Sequence, residues 1–192
     1  CVNYDALALR KAKFSPPGQR KLIHVSHLGS YKGVELLLDS TDGVAVPSIG
    51  SNALSLLKPG RSKIAMFGKT YTINNLGSIL NSDDTQVRSL VAEHDFYIHT
   101  SSMDAQATTI LEFAARGLVP IITPESGFVS AFAIYLTRNA EENKEIIRRA
   151  LEMREEELVY RSENLKNQIR LQHSWGSFFD TIVKKIDATC EN

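Results

Sequence analysis

The sequence predicts an α/β fold, a parallel sheet with helices on both faces, and three observations lead to it. The stretch from Asp95 to Thr123, DFYIHTSSMDAQATTILEFAARGLVPIIT, reads as strand, polar loop, helix, glycine stop and strand without interruption. Upstream of it, short β-favouring runs alternate with helix-favouring ones, the pattern of a sheet covered by crossover helices. At 192 residues, 43% hydrophobic and 23% charged, the chain is long and apolar enough to bury one large or two small cores.

Taken in order, residues 1–19 end in Ser15-Pro16-Pro17-Gly18, which stops any helix and marks a linker. Arg20 to Leu28, RKLIHVSHL, alternates apolar residues and predicts the first strand. Gly29 to Gly33 turns the chain into a helix that begins over Val34–Leu38 with a continuous apolar face. Gly43–Pro47 predicts a second strand, Ser51–Lys58 a helix capped by Ser51 or Asn52, and Lys63–Phe67 a third strand; Tyr71–Asn74 is also β-favouring. Ser82-Asp83-Asp84 caps a helix over 85–92, which leads into the central βαβ unit. Beyond Thr123, Asn139 caps a charged helix to about Met153, and another runs from Glu155 to Leu171. A last helix starts at Ser174-Trp175, with Phe178, Phe179, Ile182, Val183 and Ile186 at helical spacing. The division is therefore linker (1–19), α/β domain (20–173) and last helix (174–192), and the aromatic stripe of that helix is expected in the core or against another domain.

Charge excludes several functions. Lys+Arg and Asp+Glu both number 22, so no overall field draws nucleic acid or an acidic membrane, and any anion site must be local. Cys1 and Cys190 stand at opposite ends with no metal-ligand spacing, and a reducing compartment is expected. No apolar run reaches the ~20 residues that span a bilayer. The order of residues contains no Ser-His-Asp triad, zinc spacing, GxGxxG or Walker motif. His24 and His27, three apart on a strand, point to opposite faces and make a poor metal pair. His99 ends its strand near the expected cleft, in the place of a hydrogen-bonded structural histidine.

What remains is a site at the carboxyl ends of the strands, where open α/β sheets bind ligands. Asp104 in the loop and Glu112 in the helix are separated by seven residues, so both carboxylates can face one cleft. Thr108 and Thr109 open the helix, and the free N–H groups of that first turn favour an anion such as a diphosphate. Lys32-Gly33, in the turn after the first strand, can bring an ammonium and backbone N–H groups to the same phosphate. Gly127, in the loop Pro124–Phe128, can approach a ligand closely for want of a Cβ, or serve only as a turn.

Strand, acid-x7-acid across a helix start, small residues, glycine and strand resembles the donor-binding signature of retaining glycosyltransferases of the GT-B fold, glycosyl transferase group 1 type. The resemblance runs from about Lys21 onward and implies a Rossmann-like domain forming one half of a GT-B enzyme. It implies that Glu112 binds the ribose of a sugar nucleotide and Asp104 lies near the transferred sugar. It also places Lys32-Gly33 on the diphosphate, a ligand-touching glycine at Gly127, and a base-framing loop at Asn75-Leu76-Gly77-Ser78. The sequence departs from the family in carrying Asp104 where glutamate is usual, Ala105-Gln106-Ala107 in place of Gly-Phe-Gly, and His27 where an arginine or lysine would give a second positive charge. The donor would be a nucleotide-diphosphate sugar, with no metal or other cofactor, transferred to a polysaccharide or glycolipid in the cytoplasm, peripherally at the membrane face. A chain that begins at Cys1 and matches only the donor half is expected to be a fragment lacking an N-terminal acceptor domain and inactive alone. A non-catalytic binding module of the same fold, and a sugar-nucleotide epimerase or phosphorylase, stand as alternatives.

Overall fold

The computed structural model describes residues 1–4, 7, 11, 13–26, 30–41, 45–47, 60–66, 68–77, 84–105 and 107–190. Strands β1 (Leu22–Ile23), β2 (Ala45–Pro47), β3 (Gly60–Met66), β4 (Lys69–Gly77), β5 (Phe96–His99), β6 (Val119–Ile122) and β7 (Ile134–Tyr135) form one sheet in the order β3-β4-β2-β1-β5-β6-β7. All neighbours are parallel except β3 and β4. Without the antiparallel edge strand β3, this is the doubly wound Rossmann-like order, whose direction reverses between β1 and β5.

The helices are α1 (Val34–Ser40), α2 (Asp84–Glu93), α3 (Thr108–Ala115), α4 (Ala140–Leu151), α5 (Glu155–Gln168) and α6 (Trp175–Cys190). Because α1 carries the chain to one side of β1 and α3 carries it to the other side of β5, right-handed crossovers put them on opposite faces. There α1 packs on α4, and α3 on α5. Every residue of β5 and β6 is buried, as their unbroken apolar runs require between two helical layers. Asn139 caps α4 by accepting from the N–H groups of Glu141 and Glu142.

Two expectations need correction. The third strand is not a member of the parallel set. It runs as β3 from Gly60 to Met66 and pairs antiparallel with β4, because only residues 67–68 separate them and a parallel neighbour would need a crossover of a dozen residues or more. Asn75-Leu76-Gly77, expected as a base-framing loop, lies inside β4, where the Asn75 side chain accepts a hydrogen bond from the Gly77 N–H at 3.0 Å. The helix expected over Ser51–Lys58 and residue Ser78 lie outside the described residues.

The segment before β1 is tied into the fold. Val2, Tyr4 and Phe14 are buried. Asp95, at the start of β5 and fully buried, accepts from the N–H groups of Ser15 (2.9 Å) and Lys21 (3.1 Å) and pairs with the Lys11 ammonium at 3.3 Å. At its other end, α5 widens into a π-helical turn over Ile169–His173. Val2 is stapled just there, its N–H donating to His173 O and its carbonyl accepting from the Trp175 N–H. The apolar face of α6 is open to solvent, with Phe179, Val183 and Ile186 each more than half exposed.

Candidate functional site

The site is built where the carboxyl ends of β1 and β5 meet. Three consecutive hydroxyls after β5 hold the turn after β1: Thr100 Oγ1 donates to Gly33 O at 2.9 Å, while Ser101 Oγ (3.0 Å) and Ser102 Oγ (3.1 Å) donate to Tyr31 O. Gly33 makes this closeness possible. Its φ is 66°, and a Cβ there would stand 1.8 Å from the Thr100 carbonyl oxygen. The turn so placed delivers Lys32 to Asp104, whose carboxylate it pairs with directly; the two side chains are 13% and 14% exposed. Tyr31 (42% exposed) and Met103 (74%) are apolar neighbours of the pair along the chain, and the Lys32 ammonium lies 5.1 Å from the Tyr31 ring centroid.

Asp104 is supported from β6. Its N–H donates to Glu125 O at 3.0 Å, and Gly127, φ 74°, brings its backbone so close that a Cβ would meet Ala105 O at 2.2 Å. The close approach that Gly127 permits is thus to the Asp104–Ala105 backbone. Glu125 in turn is paired with Arg138 at 2.8 Å.

Helix α3 points its first turn into the same region. Ala107 at the N-cap has no side chain that could accept from the opening N–H groups of α3. Thr109 Oγ1 is 2.7 Å from the Tyr97 hydroxyl, which donates to Val25 O at 3.0 Å and so ties α3 to the end of β1. Thr108 is exposed. Glu112, one turn further along on the same side, is partly buried, and that burial raises its pKa against the opposing charge of Arg116. Burial above all, with the charges of Glu112 and Asp104 adding to it, pushes the Tyr97 phenol well above its ordinary value.

Sequence reasoning thus brings Lys32, Gly33, Asp104, Thr109, Glu112 and Gly127 to one end of the sheet; His27 lies outside the described residues. It gave Tyr97, Thr100 and Ser101 no part in the site, and it placed His99 near the cleft as a structural histidine without its stack on His24, the ring centroids being 5.8 Å apart. Both imidazoles are buried and neutral: burial lowers His24 to about 4, and burial, His24 and Lys32 lower His99 against the pull of Asp104. The signal for His99 was its place two residues after Tyr97, on the same face of β5. Among the described residues no group of three His, Cys, Asp or Glu is placed to hold a metal ion.

A cavity of about 520 Å³ lies elsewhere, lined by residues that precede β1 and β5 and end α1, including Arg20, Thr41, His94 and Lys144. That is the amino end of the strands. Among its basic groups, Arg20 donates to the carbonyls of Leu151 and Met153, and Lys144 pairs with Glu141.

No protein-family model matches the sequence, and no curated protein does. Solved structures do match in fold. The chain superposes on α,α-trehalose 6-phosphate synthase from Burkholderia multivorans with TM-score 0.67 and 14% identity, over 91% of this chain and 43% of that one. Sucrose-phosphate synthase from Thermosynechococcus elongatus matches with TM-score 0.70 and 11% identity, over 98% and 51%. The fold matches one half of a GT-B fold. WaaG, a glycosyltransferase involved in lipopolysaccharide biosynthesis, agrees with TM-score 0.55 and 15% identity, over 81% and 44%. The chain spans about half the length of these three proteins. In this GT-B half, the Lys32–Asp104 pair and the open end of α3 occupy the crevice where the doubly wound sheet reverses direction.

Proposed function

We propose that the chain is the donor-binding half of a retaining glycosyltransferase that takes a nucleotide-diphosphate sugar. The observation that carries this reading is the meeting of Lys32 with Asp104 at the β1/β5 switch point, beside an uncapped helix start. The ammonium of Lys32 and the N–H groups of Thr108 and Thr109 receive the diphosphate. As the glycosidic bond breaks, negative charge grows on the leaving nucleoside diphosphate, and these groups stabilise it without reorganisation. Glu112 accepts from ribose hydroxyls. Asp104 sits nearest the transferred sugar, where its carboxylate accepts from sugar hydroxyls and opposes the positive charge that develops at the anomeric carbon.

The acceptor belongs to a second half, on the other side of the crevice, for which the open face of α6, with Trp175, Phe178 and Phe179, provides a packing surface. This half alone is therefore expected to bind a donor and transfer nothing. A second reading, a binding module that has kept the fold without catalysis, is favoured by one feature: Lys32 has a carboxylate partner within the protein.

Calorimetry with UDP-, GDP- and ADP-sugars tests the first step. Saturable heat from one of them, lost in Lys32→Ala and weakened roughly tenfold or more in Glu112→Ala, supports the site; two correctly folded variants that bind as the wild type does would remove it. Sugar transfer by the full-length protein then separates a transferase from the binding module, and interconversion of the free donor would mark an epimerase.

A further inference from the structure

Directly beneath the Lys32–Asp104 pair lies the His24–His99 stack, which no step above uses. We propose that His99 is the positioning residue of Asp104: when Lys32 is drawn away to a diphosphate, the His99 imidazole takes over the carboxylate through its Nε2. The inference rests on the reading of the site given above.

The geometry supplies both holders. Asp104 Oδ2 is paired with Lys32, and the same oxygen is 3.6 Å from His99 Nε2, just beyond hydrogen-bond length. His99 Nε2 is buried, with no hydrogen-bond partner among the described residues. We assign its proton to the other nitrogen: with the Tyr97 hydroxyl donating to Val25 O at 3.0 Å, its oxygen accepts from Thr109 Oγ1 at 2.7 Å and from Nδ1–H at 3.4 Å. His24 holds the ring in place from the β1 side, with its own Nδ1–H donating to Ile98 O at 2.9 Å. A buried Nε2 with nothing to bond to, a few tenths of an ångström short of a carboxylate, is a donor position held in reserve.

Once Lys32 leaves, Asp104 is a partly buried carboxylate without its cation, and a hydrogen bond from His99 lowers the cost. One proton leaves Nδ1 and one arrives at Nε2, so the ring stays neutral; the Tyr97 O–H can turn to the vacated Nδ1. Among the described residues, the charged and titratable groups facing His99 are His24 from the end of β1, Lys32 from the turn, Asp104 from the loop and Tyr97 from its own strand. Removing Lys32 takes away one of the two neighbours that disfavour added positive charge on the ring and leaves the carboxylate that favours it.

The test needs no ligand at first. Long-range 1H–15N correlation of the histidine rings, with His99 assigned through His99→Gln, is expected to show the Nδ1–H form in the wild-type chain and the Nε2–H form in Lys32→Met, a change in the ratio of about tenfold or more. Lys32→Gln gives the same readout should Lys32→Met fail to fold. Lys32→Met combined with Asp104→Ala should return the ring to Nδ1–H. Retention of Nδ1–H in the folded Lys32 variants, or Nε2–H already in the wild type, overturns the proposal. UDP, GDP and ADP are then added to the wild type: binding accompanied by the same switch supports the hand-over, and Lys32-dependent binding that leaves the ring unchanged overturns it. Failure of all three to bind counts against the donor site alone, while the ligand-free variants still decide the role of His99.

Discussion

The two sides of the sheet are made differently. On one side, β5 and β6 are buried at every position, with α3 packed against both and α5 against β6. On the other, β3 and β4 form a long hairpin whose residues are mostly exposed or half-buried, with Ile64 and Ile73 as its buried apolar anchors. The candidate site belongs to the first kind. Asp104, Thr109 and Glu112 hang from the end of β5 and its helix, and the turn with Lys32 is held to that end by Thr100, Ser101 and Ser102. A site that must hold an ammonium and two carboxylates in register needs a support that cannot slide, and a strand packed on both faces is such a support.

The contrast can be broken or sharpened by substitution. The largest effect is expected at Asp95→Ala, about 5 kcal/mol of unfolding free energy, because it leaves the N–H groups of Ser15 and Lys21 unpaired and the buried Lys11 ammonium without its carboxylate, held by the Ala92 carbonyl alone; urea unfolding measures it, and a small loss would mean that Ser15 and Lys11 are not anchored there. Ile98→Ala, in the middle of the buried side, should cost about 4 kcal/mol by leaving a cavity between two helical layers.

Acid should act on the same side. His24 has its pKa lowered from 6.5 to about 4, so the unfolded chain binds its proton first. The stabilisation from keeping it neutral is complete above pH 6.5 and is lost as the pH falls from 6.5 towards 4, on the order of 3 kcal/mol. His24→Phe should flatten that part of the stability profile; an unchanged slope would assign it to other groups. The smallest effect is expected on the hairpin, where Ile64→Ala should cost about 1 kcal/mol. If Ile64→Ala matched Ile98→Ala, the two sides would be equally firm and the comparison would fail.

How far the residues themselves disclosed this follows the same division. The βαβ unit was legible because each of its signals is local: apolar runs for the strands, Thr108 to open the helix, Gly117 to end it. The hairpin was misread, since KIAMF and TYTIN carry the same β-favouring composition in a parallel or an antiparallel setting, and the direction was decided by the two residues between the strands. Lys32, Asp104 and Glu112 were found by spacing. Thr100, Ser101 and Tyr97 were not, because their partners, Gly33 O, Tyr31 O and Val25 O, are backbone atoms about seventy positions away, and nothing in a Thr-Ser-Ser run says which carbonyl it will meet.

By itself the sequence determined the kind of layer each segment enters and the residue types available for phosphate and sugar, since hydrophobic period, caps and breakers act over a few neighbouring residues. Only the tertiary structure decided that Lys32 closes on Asp104, that Gly33 lies against Thr100 and that two neutral histidines stack below them. Such contacts depend on which strands become neighbours, and that is settled by packing of the whole sheet rather than by any stretch of chain.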